Sequence, residues 1–217
     1  MSKSQQILCL TAAFVGGMLP CAALASSVTY TVTANTAAIL GQSGYIDLQL
    51  EPGPPSSNLV TASVTNFTTN GTLTGSASLT GDASGQWPAA LSFDNQTLFN
   101  DYFQPVDFGT TESFTVTLNG PTPLGASQSS FNIAFYAADG ATPLLTVSPT
   151  GDAGEIFVDP NGTTTATTFA SGPNAGSALT ITAAVSSSVP EPADSVLIYL
   201  SFAIALALSP QWRRQRG

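Results

Sequence analysis

Carboxylates, hydroxyls and aromatic rings are the only side chains in the body of this sequence with any chemistry to offer. Between Lys3 and Arg213 there is no lysine, arginine or histidine, so Asp47, Glu51, Asp82, Asp94, Asp101, Asp107, Glu112, Asp139, Asp152, Glu155 and Asp159 have no cation to pair with. Both cysteines, Cys9 and Cys21, lie near the N-terminus. After Cys21 and before Arg213 this composition excludes histidine-based triads, thiol and amine nucleophiles, arginine clamps and most zinc or copper sites. The formal net charge of −9 repels nucleic acid, so none is expected as a partner.

Glycoside hydrolysis needs two acids at a defined separation. Asp101 with Asp107, or Glu112 with an acid from another strand, are the pairs to consider. Solvated turn and strand-edge carboxylates account for the same residues, and on that reading no catalytic residue is expected. Calcium would suit an anionic chain with oxygen-only ligands, and "GDASG", "DFGTTE", "TGDAGE" and "VDPNG" set carboxylates beside glycines. None has the alternating Asp/Asn spacing of an EF-hand loop, and Asx-turns explain them without metal. No metal site and no cofactor is therefore expected.

The rings offer a binding reading. Phe99, Phe103 and Phe108 are expected to anchor a core, while Trp87, next to Pro88 in a glycine-rich turn, is the candidate exposed ring. With Tyr102 it forms the candidate glycan contact, since exposed rings stack on sugar faces. Asn66, Asn70, Asn95 and Asn161 each begin an Asn-x-Ser/Thr sequon, a pattern that arises readily by chance in a chain rich in Asn and Thr.

The elements that would position these residues have a period of two. "SVTYTVTAN" alternates Val28, Tyr30 and Val32 with polar residues, and "YIDLQL" does so with Ile46, Leu48 and Leu50. "ESFTVTLNG" sets Phe114, Val116 and Leu118 on one face, and "SFNIAFYAADG" sets Phe131, Ile133 and Phe135. Each predicts a half-buried strand of an antiparallel sheet. Turn-forming clusters such as "EPGPPSSN", "LNGPTPLG" and "AADGATP" separate them. The expected fold is all-β, a single antiparallel β-sandwich domain over residues 26–170, with a final strand and spacer over 171–188. A β-helix is the competing architecture, but no fixed internal period supports it.

The ends read differently. "MSKSQQILCLTAAFVGGMLPCAALASS" has Lys3 in a polar start, an apolar stretch from Ile7 to Leu19, and Ala23-Leu24-Ala25 as a small-x-small cleavage site before Ser26. That is the layout of a secretory signal-peptide helix over residues 1–25. Its removal would take both cysteines with it.

At the other end, the apolar run Val196–Leu208 would span only about 20 Å as a helix, short of a hydrocarbon core of about 30 Å. Arg213, Arg214 and Arg216 follow it, which orients such a transmembrane helix with its tail in the cytoplasm and the main domain outside. Val189-Pro190-Glu191-Pro192, the apolar helix and the basic tail together resemble the PEP-CTERM sorting signal, over residues 189–217. That resemblance implies an exosortase that recognises the Pro-Glu-Pro region and removes the helix, in a Gram-negative bacterium making extracellular polysaccharide. "LFNDYFQPVDFGTTESFTVTL" with "DGATPLLT" is similar to a small extracellular domain that recurs among PEP-CTERM proteins without an assigned activity.

The sequence thus predicts an exported, non-enzymatic cell-surface or matrix protein. Signal peptidase and an exosortase are its expected processing partners, the membrane its transient anchor, and polysaccharide or biofilm its setting. A secreted carbohydrate-binding module is the alternative, and a carboxylate-dependent glycoside hydrolase a more distant one.

Overall fold

A computed structural model describes residues 26–53, 59–120, 127–160, 162–169 and 178–184. The signal-peptide segment with Ala23 and Ala25, the sorting motif Val189, Pro190, Glu191 and Pro192, and the basic tail Arg213, Arg214 and Arg216 lie outside the described residues. Among the described residues no helix is long and apolar enough to cross a membrane.

The chain forms two antiparallel sheets. The first has six strands in the order β14 (Leu179–Ala183), β1 (Ser26–Asn35), β9 (Thr111–Gly120), β3 (Thr61–Thr69), β7 (Leu91–Asp94) and β6 (Ala83–Gly85). The second is built on the order β13 (Thr164–Thr168), β12 (Asp152–Val158), β10 (Ser129–Ala137), β2 (Ser43–Glu51), β8 (Asp101–Asp107) and β4 (Thr72–Leu73). Two further strands complete it, β11 (Pro143–Leu144) beside β10 and β5 (Ser78–Thr80) beside β8. A single 3-10 turn, Ala37–Ile39, is the only helical element among the described residues.

Alternation in sequence becomes the inner and outer faces of these sheets, because successive side chains on a strand point to opposite sides. Val32, Phe114, Val116, Val64 and Phe93 from the first sheet meet Ile46, Leu48, Leu50, Phe131, Ile133 and Ile156 from the second in one core. Phe93 and Phe131 touch edge to face across it, with ring centroids 5.7 Å apart. Burying each such side chain is worth about 1.5–3 kcal/mol, so this interlayer dominates the favourable terms.

The outer face of the first sheet carries hydroxyls in place of charges. Thr31 lies opposite Thr115 on one side and Thr182 on the other, and Thr29 Oγ1 is 3.0 Å from Thr117 Oγ1. β-branched hydroxyl residues fit this half-exposed pleat.

The segment from β4 to β7 closes one side of the sandwich. β4 and β5 both pair with the free edge of β8, and β6 then pairs with β7 in the opposite sheet. Between β4 and β5 the register slips, and the Gln104 side-chain amide fills the gap by donating to Gly75 O at 2.8 Å. Gly81, at φ +63, makes the turn between β5 and β6, a conformation glycine adopts at no steric cost.

Of the three phenylalanines expected in the core, only Phe108 is there, at 2% exposure. Phe99 is 43% exposed, and Phe103 lies half-buried on the outer face of the second sheet. Phe103 alternates with the inward-facing Tyr102 and Gln104, so the period of two sends its ring outward.

Candidate functional site

Trp87 and Tyr102 come together, but inside the protein. Trp87 is 3% exposed and Tyr102 is fully buried, which corrects the expectation of an exposed ring and of a glycan contact made by this pair. The physical reason is the closing segment, which carries Trp87 over the edge of the sandwich. Its ring stacks on Phe67 at 3.8 Å between centroids and meets Tyr102 edge on at 5.2 Å. The backbone N–H of Trp87 donates to Tyr102 Oη at 3.0 Å, and Tyr102 donates in turn to Gln104 Oε1 at 2.8 Å. These groups tie the closing segment to β8. The Trp87–Pro88 peptide bond is cis.

The proposed acid pairs do not form. Asp101 and Asp107 sit at opposite ends of β8, about 20 Å apart at about 3.3 Å per residue. Asp107 instead accepts from Ser43 Oγ at 2.6 Å. Glu112 faces inward with Phe114 and Val116, is 0% exposed, and has no hydrogen-bond partner for either carboxylate oxygen. Burial pushes its pKa above the ordinary carboxylate range. The nearby Thr69 hydroxyl and Gly109 N–H soften that rise without reversing it.

Local hydrogen bonds account for two of the six carboxylates in the loops first considered for calcium. Asp159 accepts from Gln128 Nε2 and Thr163 Oγ1, and Asp152 Oδ2 accepts from Thr150 Oγ1. Asp139, in a further turn, takes the backbone N–H groups of Ala141 and Thr142 together with the Thr142 hydroxyl, which lowers its pKa to about 2. The sequon residue Asn95 is 4% exposed and bonded to Val60 N–H and Ser129 Oγ. Asn70 clamps the β9 edge by accepting from the N–H groups of Thr110 and Thr111. Asn66 remains exposed, and Asn161 lies outside the described residues.

The polar cluster that sequence reading missed lies on the outer face of the second sheet. One row across it runs Glu155, Asn132, Gln49, Asp101 and Thr80 on β12, β10, β2, β8 and β5. The adjoining row runs Asp152, Ala134, Asp47 and Phe103. Asp47, Asp101, Asn132 and Asp152 are 4%, 8%, 7% and 9% exposed. Rings stand beside them on the same face, Tyr45 stacked on Phe103 at 4.3 Å and Tyr136 tilted against Phe103 at 6.0 Å.

Burial is the main force on the acids here. It raises Asp47, with the hydrogen-bonded and charged neighbour Asp101 adding to it and Gln49 opposing, to about 9. Asp101 is also raised by burial, while its contact with Asp47 pulls the other way. Such a pair shares one proton between two carboxyls. Glu51 and Glu155 are raised first by burial and then by the charge of Asp152. Tyr136 is raised by burial and by Asp47, Asp152 and Asp101.

A cavity of about 280 Å³ opens where β1, β9 and β14 end, lined by threonines, alanines and Asn35 and holding no titratable side chain. No family model, curated protein or solved structure matches this chain.

Proposed function

We propose that this is an exported cell-surface or extracellular-matrix protein whose β-sandwich does no catalysis. In this reading residues 1–25 form a signal-peptide helix removed by signal peptidase. Residues 189–217 form a PEP-CTERM sorting signal whose helix spans the membrane until an exosortase removes it. The domain is then released to the cell surface or matrix of a Gram-negative bacterium, in association with exopolysaccharide or biofilm.

The observation that carries the reading is the placement of charge. Lys3, Arg213, Arg214 and Arg216 are the whole set of lysines and arginines, and each falls in a segment with an export or sorting layout. The domain between them has no imidazole, thiol, amine or guanidinium with which to do acid–base or nucleophilic chemistry. The separation of Asp101 from Asp107 and the burial of Trp87 and Tyr102 weigh against one of the two acid pairs and against the ring pair on which the alternative readings rested.

Intact mass of the protein recovered from the cell surface and medium tests this. The expected species begins near Ser26 and lacks Arg213, Arg214 and Arg216. A surface species that retains Arg216 overturns the sorting reading, and glycan or ester hydrolysis abolished by an Asp or Glu substitution overturns the non-catalytic one.

A further inference from the structure

The two sides of the sandwich end differently. On one, β4, β5 and β6 are two or three residues long, and such short strands make a poor template for another chain. On the other, the outermost strands are β14 of the first sheet and β13 of the second. Charge, proline and bulges are the devices by which longer edges avoid pairing with other chains, and β13 and β14 have none of them.

Two hydrogen bonds fix which way the β14 backbone points. Asn35 N–H donates to Ala178 O at 2.7 Å, and Ala184 N–H donates to Thr29 O at 2.7 Å. Bonded and non-bonded pairs alternate along an antiparallel ladder, so Thr180 and Thr182 also turn to β1, opposite Thr33 and Thr31. The N–H and C=O groups of Ile181 and Ala183 therefore point away from β1, and among the described residues no strand lies beyond them. Side chains alternate as well. Ile181 packs inward against Gly154, where there is no room for a Cβ, and Thr182 is exposed on the outer face.

Copies of an anionic domain repel one another over most of their surface. Strands β1, β13 and β14 carry no charged residue, so copies that meet along β14 set no carboxylate of these strands against another. We propose that β14 pairs antiparallel with β14 of a second copy of this chain, about a two-fold axis at Thr182, joining the two six-stranded sheets into one. In that register Ile181 of each copy exchanges N–H to O=C bonds with Ala183 of the other, and Thr182 lies opposite its own copy. Thr115, Thr31 and Thr182 already form one row across β9, β1 and β14, and the two-fold continues it with the same residues in reverse. A second copy is favoured over an unrelated strand because one symmetric operation gives each outward N–H of Ile181 and Ala183 a C=O. This pairing is independent of the export and sorting reading.

The test is the mass of the full chain by light scattering in nonionic detergent, which covers its apolar termini, with amide exchange at two protein concentrations. The expected mass is twice that of one chain. With about nine-tenths of the chains paired, exchange at Ile181 and Ala183 should slow about tenfold on concentration, while Thr180 and Thr182, bonded to β1, should not change. Ala183→Pro removes one outward donor, leaves Ala184 N–H on Thr29, and should return the mass to that of one chain. Thr182→Lys sets like charges directly opposite each other and should do the same, which serves if the proline variant does not fold. Thr31→Lys adds the same charge one strand inward and should leave the pair intact. The proposal is overturned by a single-chain mass for the unsubstituted protein, or by a double mass that survives Ala183→Pro or Thr182→Lys. A double mass lost equally in Thr31→Lys, or exchange at Ile181 and Ala183 that does not depend on concentration, overturns it as well.

Discussion

At the scale of single residues, the unusual carboxylates are those whose neighbours oppose ionisation. Asp47, raised to about 9 from an ordinary value near 3.8, is held mostly protonated at neutral pH by burial and by Asp101. Replacing it with asparagine keeps the shape and removes the proton to be lost. Asp47→Asn should therefore stabilise the protein at pH 8, by on the order of 1–3 kcal/mol, read from denaturant unfolding. A destabilised Asp47→Asn under those conditions would contradict this electrostatic account. Glu112 faces the core with both oxygens unbonded. Glu112→Gln should be neutral or stabilising at pH 7, because it keeps the shape and carries no charge to desolvate. The hydrophobic alternation around Glu112 shows that it points inward, since it shares the face of Phe114, Val116 and Leu118. The cluster around Asp47 leaves no such trace, because Asp47, Asp101 and Asn132 are brought together only by the pairing of β8, β2 and β10.

At the scale of elements, the segment from β4 to β7 depends on a few side chains. Trp87 fills the space between Phe67, Tyr102 and Phe114, and Trp87→Ala should cost about 3–5 kcal/mol. Tyr102→Phe removes only a hydroxyl, yet it strands the Trp87 N–H and Gln104 Oε1, and should cost about 1–3 kcal/mol. By contrast Thr31→Val, on the exposed face of β1, should change stability by less than about 0.5 kcal/mol. Equilibrium unfolding of the three variants checks the ranking, and an equal loss in all three would mean the segment is not held as described. The regular strands could be read from their alternation. The fate of Trp87 could not, because a glycine- and proline-rich turn marks a change of direction without saying what lies beneath it.

At the scale of the whole molecule, the absence of cations in the domain reverses the usual response to acid. Most folds lose paired carboxylates as pH falls, and their stability peaks between about pH 5 and 8. Here Asp47, Glu51, Asp101, Glu112 and Glu155 all have folded values above their unfolded ones. Their contribution is complete below the unfolded values near 3.8 and 4.5, and is lost as pH rises through the folded values, for Asp47 up to about 9. Asp139 runs the other way, its contribution fading as pH falls from 3.8 towards 2, but it lies in a solvent-exposed turn. The melting temperature should therefore climb from pH 8 to about pH 4, and a maximum at pH 7 would refute this. Composition removed one opposing term, since a domain without cations has no salt bridges for acid to break, but burial of these acids sets the sign of that response. Alternation in sequence fixed the all-β class and the inner faces of the main strands, because a period of two is a local property of the chain. Register and closure are not local. Which acids share a row, which acceptors remain unmet and which rings are covered follow from strand pairings between residues far apart in sequence, and these exist only once the two sheets have assembled.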